Sequence, residues 1–191
     1  EAYHRDVAPA PAHAPVDDGG MPSIHAIEEG LRFDTLPPAD REPRAIGVPR
    51  ILEAGLSAAA YQAADYDPLR TWAREVMAHS VVEDAGGVVV HLVANGPGAL
   101  HAEVAFAPDG ALSLSWRWDS GAFPRDALFA PELSLNGDPT LELDPEPVAV
   151  WRFDIETVSK SEKGSDTSVQ GLSVTPVWPA SLGGARVVVR P

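Results

Sequence analysis

Apolar and polar residues alternate in short runs through most of the chain after residue 86, a pattern typical of β-strands with one buried face. From Leu112 to Trp118, a leucine or tryptophan occupies every second position, with serine or arginine between them. Turn signals such as Pro108-Asp109-Gly110 recur about every 8–12 residues, a spacing typical of sandwiches and barrels. The pattern predicts a mainly β fold, with a buried strand at 88–94 and further strands at 101–107, 112–118, 148–156, 172–178 and 186–190.

The segment 51–83 fits two different periodicities. Leu69, Trp72 and Val76 fall on one face of a helix. Trp72, Val76 and Val82 fit one row of a strand equally well. The pattern by itself leaves both alternatives open.

Proline marks a change in character near residue 50. The first fifty residues hold eight of the 19 prolines. Because proline lacks an amide donor and fixes φ, this stretch forms neither a central strand nor a long helix. We therefore predict one domain in two parts: residues 1–50 as a proline-rich extended arm packed on the domain, and residues 51–191 as the β-sandwich.

The charge balance excludes two classes of partner. Among 191 residues, 28 are acidic and 14 are basic, which gives a net charge of −14. Because such a surface repels phosphate backbones and anionic lipid headgroups, we expect no nucleic-acid partner and no membrane partner. Hydrophobic residues make up 45% of the chain, enough to build an ordinary core. The sequence contains no cysteine, which excludes disulfides and thiolate sites.

The ends and the apolar runs indicate an excerpt of a longer protein. Val88–Ala94, the longest strongly apolar stretch, is far too short to span a membrane. No basic region followed by an apolar segment opens the chain, so we expect no signal peptide, and the lack of cysteine fits the cytoplasm. The first residue is Glu1 rather than methionine, which favours an excerpt of a multidomain enzyme. The excess of arginine over lysine hints at a bacterial source.

Residues with catalytic or metal-binding chemistry do not form a recognisable motif. The six histidines have no i,i+4 or i,i+2 pair that would place two imidazoles on one ion, so we predict no metal site and no cofactor. Gly171-Leu172-Ser173 begins like a nucleophile elbow but lacks the second glycine. Acidic residues between 132 and 156 fit a calcium site or a glycosidase carboxylate pair, but a solvated strand edge is favoured. These residues are Glu132, Asp138, Glu142, Asp144, Glu146, Asp154 and Glu156.

The tryptophans allow two interpretations. An exposed tryptophan in a β domain is suited to stacking on a sugar ring, whereas one on the apolar row of a strand is usually a core residue. Trp116 and Trp118 continue a row of leucines, which favours the core. Trp178, flanked by prolines, is the candidate exception.

One part of the sequence is more specific than composition explains. The stretch Trp151–Gly164 contains I-E-T-V-S-K-S-E-K-G, and it is followed by Q-G-L-S-V-T-P at 170–176 and by Trp178-Pro179. This order resembles the closing motif of the C-terminal β-domain in glycoside hydrolase family 57 enzymes of the 4-α-glucanotransferase and α-amylase type. Three earlier stretches resemble the same domain, namely Glu1–His4, Ser23–Leu31 and Leu128–Leu133.

The resemblance implies a galactose-mutarotase-like sandwich of two antiparallel sheets, with its first strands missing before Glu1. For residues 72–82 it favours a strand rather than a helix. The catalytic carboxylates of the family belong to a barrel, and nothing in this chain matches their motifs. Gly47-Val48-Pro49-Arg50 replaces an aspartate-histidine of the family pattern, so a function that needs that histidine is not expected here.

The function implied is that of a non-catalytic C-terminal accessory domain in an α-glucan-processing enzyme. Its partner is then the catalytic barrel of the same polypeptide, and α-1,4-glucan is a candidate ligand. We predict carbohydrate contacts at Trp178, His25, Glu162 and Gln170. A polar corner that fixes the crossover between two sheets is predicted at Ser159, Ser161, Glu162, Gly164, Gln170 and Gly171.

Two alternative functions stay open on the sequence. One is an autonomous carbohydrate-binding module. The other is a mutarotase-like, sugar-epimerising enzyme with a histidine acid and a glutamate base. The second alternative requires a histidine and a glutamate on one concave sheet face, and His91 and His101 meet it only if their strands are neighbours.

Overall fold

The computed structural model describes Glu42, residues 44–161 and residues 164–191, and this part of the chain is mainly β. A single short helix, α1 (Ala58–Gln62), and two 3₁₀ turns, at Ser120–Ala122 and Ala180–Leu182, accompany the strands described. The strands are β1 (Ile46–Val48), β2 (Arg50–Leu52), β3 (Arg70–Thr71), β4 (Ala78–Asp84), β5 (Gly87–Ala94), β6 (Leu100–Phe106), β7 (Leu112–Trp118), β8 (Leu128–Phe129), β9 (Glu132–Leu135), β10 (Thr140–Asp144), β11 (Ala149–Ser161), β12 (Gly164–Pro179) and β13 (Gly184–Arg190).

The strands form two antiparallel sheets. The first sheet has the order β1-β9-β12-β8-β2-β3, and β11 pairs with the other side of β12. The second sheet has the order β10-β13-β7-β6-β5-β4. The predicted fold class, a mainly β antiparallel sandwich, is therefore confirmed.

The core lies between the two sheets and is rich in aromatic residues. Trp116 and Trp118 of β7 point inward, as their alternating row predicts, and meet Phe129 of β8. The rings of Trp118 and Phe129 are stacked, with centroids 3.8 Å apart and planes 11° from parallel. Such an aromatic pair adds about 0.5–1.5 kcal/mol to the stabilisation from burial alone. The tryptophan row thus joins the two sheets.

The opposite face of the first sheet is covered as well. Successive residues of β2 alternate, so Ile51 enters the main core while Leu52 packs in a second cluster. Tyr61 of α1 belongs to this second cluster, with Trp151 and Phe153 of β11. The hydroxyl of Ser57 caps α1 by accepting a hydrogen bond from the Ala60 amide at 3.1 Å. Through Tyr61, the helix covers one part of this face of the sheet.

Three sequence expectations need correction or refinement. Strand 88–94 exists as β5, but its residues are mostly half-buried rather than buried, because it lies next to the exposed edge strand β4. The ambiguous segment contains α1 and the short β3, and the strand expected over 72–82 begins at Ala78. β1 and the first residue of β2 fall within the predicted arm, so the end of that arm is built into the first sheet.

Candidate functional site

The predicted serine-rich corner lies on a long hairpin. The pairing of β11 with β12 continues to Ser161 opposite Gly164, and Ser159 lies on the same ladder. A corner between two sheets was expected, but both strands belong to the first sheet, because an antiparallel ladder with one irregularity, at Ile155/Glu156, joins all of β11 to residues 164–177 of β12. Glu162 lies outside the described residues.

Gln170 and Gly171 lie farther along β12. Gln170 is exposed, and its Nε2 donates to the Ser168 hydroxyl at 3.3 Å. A Cβ atom added at Gly171 would lie 2.6 Å from the carbonyl oxygen of Leu135 on β9. Glycine at this position therefore allows β9 and β12 to approach closely. A carbohydrate contact by Gln170 stays a prediction.

Trp178, predicted to contact sugar, packs in the core. None of its surface is exposed, and its ring lies beside Phe129 with centroids 6.5 Å apart. Its Nε1 donates to the carbonyl oxygen of Pro145 at 2.7 Å, so the polar end of the ring is satisfied internally. In this structure Trp178 offers no face on which a sugar could stack. His25 lies outside the described residues.

A buried carboxylate, Glu132 at the start of β9, forms the centre of a polar cluster. Its Oε1 accepts hydrogen bonds from the Ser173 hydroxyl, at 2.8 Å, and from Arg44. Its Oε2 accepts from Arg50 Nη1 at 3.1 Å and from the Tyr61 hydroxyl at 3.2 Å. Four donors thus converge on one carboxylate residue of which only 4% is exposed.

A second carboxylate completes what we call the Glu132 cluster, which consists of Glu42, Arg44, Arg50, Tyr61, Glu132 and Ser173. Glu42 accepts from Arg50 Nε at 2.8 Å and from the Thr71 hydroxyl at 2.8 Å. Two arginines therefore face two glutamates, and the cluster is electrically balanced. It ties the segment before β1 to β2, β3, α1, β9 and β12.

The environment shifts the pKa values of Tyr61 and Arg50. Burial raises the pKa of the Tyr61 hydroxyl well above its ordinary value, although the nearby Arg50 opposes this. For Arg50, burial alone would lower the pKa, but the neighbouring Tyr61, Tyr66 and Glu132 raise it overall. At neutral pH Arg50 is thus charged and Tyr61 is protonated. The arrangement binds its own charges and leaves neither of these two groups ready for proton transfer.

This cluster was not expected from the sequence. Glu132 was predicted to lie on a solvated edge with the other acidic residues, whereas the structure buries it. Glu142 and Asp144 do lie on the edge strand β10 and are exposed, as predicted. The sequence did contain a local indication that Glu132 is buried, because Ala130-Pro131 before it and Leu133 after it are apolar.

A different kind of site lies on the outer face of the second sheet. There the strands line a shallow groove of about 550 Å³. β5 and β6 are neighbours, so His91 lies directly opposite Glu103, and His91 Nδ1 is 3.5 Å from Glu103 Oε2. We call this the outer groove, and its polar side chains are His91, His101, Glu103, Ser115, Arg117, Asp144 and Arg186.

Among the described residues, no group of three or more His, Asp or Glu side chains could hold a metal ion. In the same part of the chain, no helix has the length and apolar character needed to cross a membrane.

Comparison with known proteins agrees with the motifs at the end of the chain. Residues 126–188 match the family model described as the C-terminal domain of alpha-amylase and 4-alpha-glucanotransferase. No curated protein matches the sequence. The fold is similar to that of the crystal structure of 4-alpha-glucanotransferase from Thermococcus litoralis, with a TM-score of 0.62 and 22% identity over 80% of this chain. The matched region is 28% of that protein's chain, so this chain spans a little over a quarter of its length. The predicted resemblance is confirmed at the level of this C-terminal domain.

Proposed function

We propose that this chain, whose residues 126–188 match the C-terminal domain of alpha-amylase and 4-alpha-glucanotransferase, is a non-catalytic accessory domain of an α-glucan-processing enzyme. It would support the catalytic barrel of the same polypeptide and help to shape its cleft. The observation that carries the proposal is the family match to a C-terminal domain. Membership of glycoside hydrolase family 57, a bacterial source and a cytoplasmic location are further parts of the proposal, supported by the motif around 151–179, by the excess of arginine over lysine and by the lack of cysteine.

The Glu132 cluster supports an accessory role rather than catalysis. A catalytic carboxylate must take up or release a proton or reach the substrate. Both oxygens of Glu132 are occupied by donors from the chain itself, and the group is buried. Its geometry is suited to holding the sandwich together.

Exposed apolar side chains give the domain a surface that a covalently linked neighbour could cover. Val81 of the edge strand β4 and Phe106 of β6 lie on the same face of the second sheet, near its β4 edge, and each is half or more exposed. Apolar residues grouped in this way are typical of interaction surfaces. The catalytic barrel is the partner that the proposal assigns to them.

The experiment is a comparison of the full-length enzyme with a form truncated before this domain. We expect truncation to lower both the melting temperature and the activity on maltooligosaccharides. The isolated chain should show no hydrolysis and no glucosyl transfer on the same substrates. Turnover of maltooligosaccharides by the isolated chain would overturn the proposal.

One observation favours a second candidate, the mutarotase-like activity. The sequence required a histidine and a glutamate within reach of each other on one concave sheet face. His91 and Glu103 lie opposite each other on neighbouring strands, with His91 Nδ1 3.5 Å from Glu103 Oε2, which supports this candidate. Polarimetry of freshly dissolved α-D-glucose or α-D-galactose tests it. A rate of anomer interconversion above the buffer rate that disappears in Glu103→Gln would support this candidate, and an unchanged buffer rate would exclude it.

A further inference from the structure

We propose that the outer groove binds a segment of an α-glucan chain through a row of polar side chains, without aromatic stacking. The identity of the sugar rests on the proposed function, whereas the site itself rests on the strand register and on the groove. Of the residues predicted from the sequence to contact carbohydrate, the structure describes Trp178 and Gln170, and neither of these two lines the groove.

The register of the second sheet places six polar residues in a single row across all six strands. Each is the direct partner of the next in its antiparallel ladder, so all six side chains share one face. The row runs Ser80, His91, Glu103, Ser115, Arg186, Asp144. With neighbouring strands about 4.8 Å apart, the row is roughly 24 Å long, which suits an extended chain better than a single sugar.

This row lies on the face opposite the core. The residues next to Glu103 and Ser115 along their strands point to the other face of the sheet. Among them, Ala102, Leu114 and Trp116 are buried in the core. The ionisable pair at the middle of the row stays accessible, with 44% of the His91 side chain and 48% of the Glu103 side chain exposed. A ligand could therefore reach these groups without any movement of the backbone.

A second row widens the floor of the groove. It contains Val93, His101, Arg117 and Gly184, again as direct partners in the register. Because Gly184 has no side chain, the groove is deeper at this position, beside Arg117. The volume of about 550 Å³ is within the roughly 300–1,000 Å³ of small-ligand sites.

The charges in the groove favour a neutral ligand over an anion. Arg117 and Arg186 are balanced by Glu103 and Asp144, and the chain as a whole is strongly acidic, with a net charge of −14. A phosphate or carboxylate would meet both the groove carboxylates and this overall field. Neighbouring sugar hydroxyls, in contrast, each donate and accept, so they can use guanidinium donors and carboxylate acceptors side by side.

The site is expected to bind weakly. Trp116, Trp118, Trp151 and Trp178, which could have stacked on a sugar, are all buried. Exposed polar contacts alone give small net gains because they replace contacts with water. We expect a dissociation constant on the order of 1 mM, appropriate to a site that retains substrate near a catalytic barrel.

The test is a titration of the 191-residue chain with maltoheptaose, followed by calorimetry and by NMR shifts of backbone amides. Glu103→Gln and Arg117→Ala should each weaken binding about fivefold or more, because each removes a charge-assisted hydrogen bond. The control is Arg152→Ala, which removes an exposed arginine from the first sheet, where Arg152 Nη1 lies 2.6 Å from Asp138. This control should leave the affinity unchanged, and circular dichroism checks that each variant is folded.

The outcomes separate the groove from the proposed function. If maltoheptaose does not bind at a concentration about 10-fold above the expected dissociation constant, the glucan site is overturned. Binding that neither Glu103→Gln nor Arg117→Ala weakens would overturn it as well. Tighter binding of inorganic phosphate than of maltoheptaose would overturn its assignment to a neutral sugar. Because the truncation experiment measures support of the barrel independently, the accessory role can survive any of these results.

Discussion

Replacing Glu132 by glutamine probes the buried cluster with a minimal change of shape. The new amide would keep one carbonyl oxygen but would present an NH₂ group to donors that now bind a carboxylate oxygen. Arg50, of which only 3% is exposed, would keep Glu42 as its carboxylate partner but would lose the charge of Glu132. Breaking a buried ion pair by removing one partner typically costs about 3–5 kcal/mol, so we expect the free energy of unfolding to fall by about that amount.

The assay is urea unfolding followed by tryptophan fluorescence, since Trp151 packs on Tyr61 with ring centroids 5.1 Å apart and reports on this region. The matched control is Glu142→Gln, the same substitution in an exposed glutamate that Arg190 Nε contacts at 2.6 Å. We expect no measurable loss from the control, because exposed ion pairs contribute little. A loss below about 1 kcal/mol for Glu132→Gln, or one equal to that of the control, would refute the conclusion that the cluster stabilises the fold.

Three further predictions follow from the packing and the protonation states. Gly171→Ala should lower the free energy of unfolding by about 1–3 kcal/mol in the same assay, because the new Cβ would lie 2.6 Å from the Leu135 carbonyl oxygen; an unchanged midpoint would mean that β9 and β12 separate freely. Trp178→Phe should lower the free energy of unfolding by about 1–3 kcal/mol, because it removes the hydrogen bond to Pro145 and some buried volume. The affinity for maltoheptaose should not change. Weaker binding by the folded variant would indicate that Trp178 contacts the sugar after all. Finally, burial raises the pKa of Tyr61 above its ordinary value of 10.0, so the protonated hydroxyl favours the folded state. The free energy of unfolding should therefore keep this contribution below pH 10.0 and fall as the pH rises above it, less steeply in Tyr61→Phe. An equal dependence of unfolding free energy on pH in both proteins would contradict this assignment.

The strands were largely predictable because their signal is local. Leu112–Trp118 alternates with a period of two, and the structure contains β7 over those same residues with its tryptophans inward. The pairing order was not predictable in the same way. β12 contacts β8, β9 and β11, and none of these pairings except the hairpin is implied by neighbouring sequence.

The Glu132 cluster shows why a buried charge is difficult to locate from sequence. The arginines that neutralise Glu132 lie 82 and 88 residues earlier in the chain. A charge count within a window of residues 132–156 therefore sees an excess of carboxylates and predicts a solvated edge. The pairings of β1 with β9 and of β2 with β8, which place Val48 opposite Glu132 and Ile51 opposite Phe129, bring the compensating arginines near.

The outer groove depends on register even more strongly. A shift of one residue between β5 and β6 would place Glu103 beside a residue of the core face and would send its side chain away from His91. The sequence contains the alternation but not the alignment, so it could state the pairing of a histidine with a glutamate only as a condition.

The two sheets differ in how many of their faces are used for packing, and this difference determines where a ligand can bind. The first sheet is covered by the core on one side and by α1 with the second cluster on the other, and its buried Arg50, Glu132 and Ser173 are tied into the Glu132 cluster. The second sheet packs its leucines and tryptophans inward, and its outer face keeps charged residues on adjacent strands in register. Both sheets build the core, the first sheet also holds the buried charges, and the outer face of the second sheet presents a polar row to the proposed glucan ligand. If the domain supports a neighbouring barrel, the orientation of the outer groove toward or away from the barrel cleft decides whether a bound glucan chain can reach both.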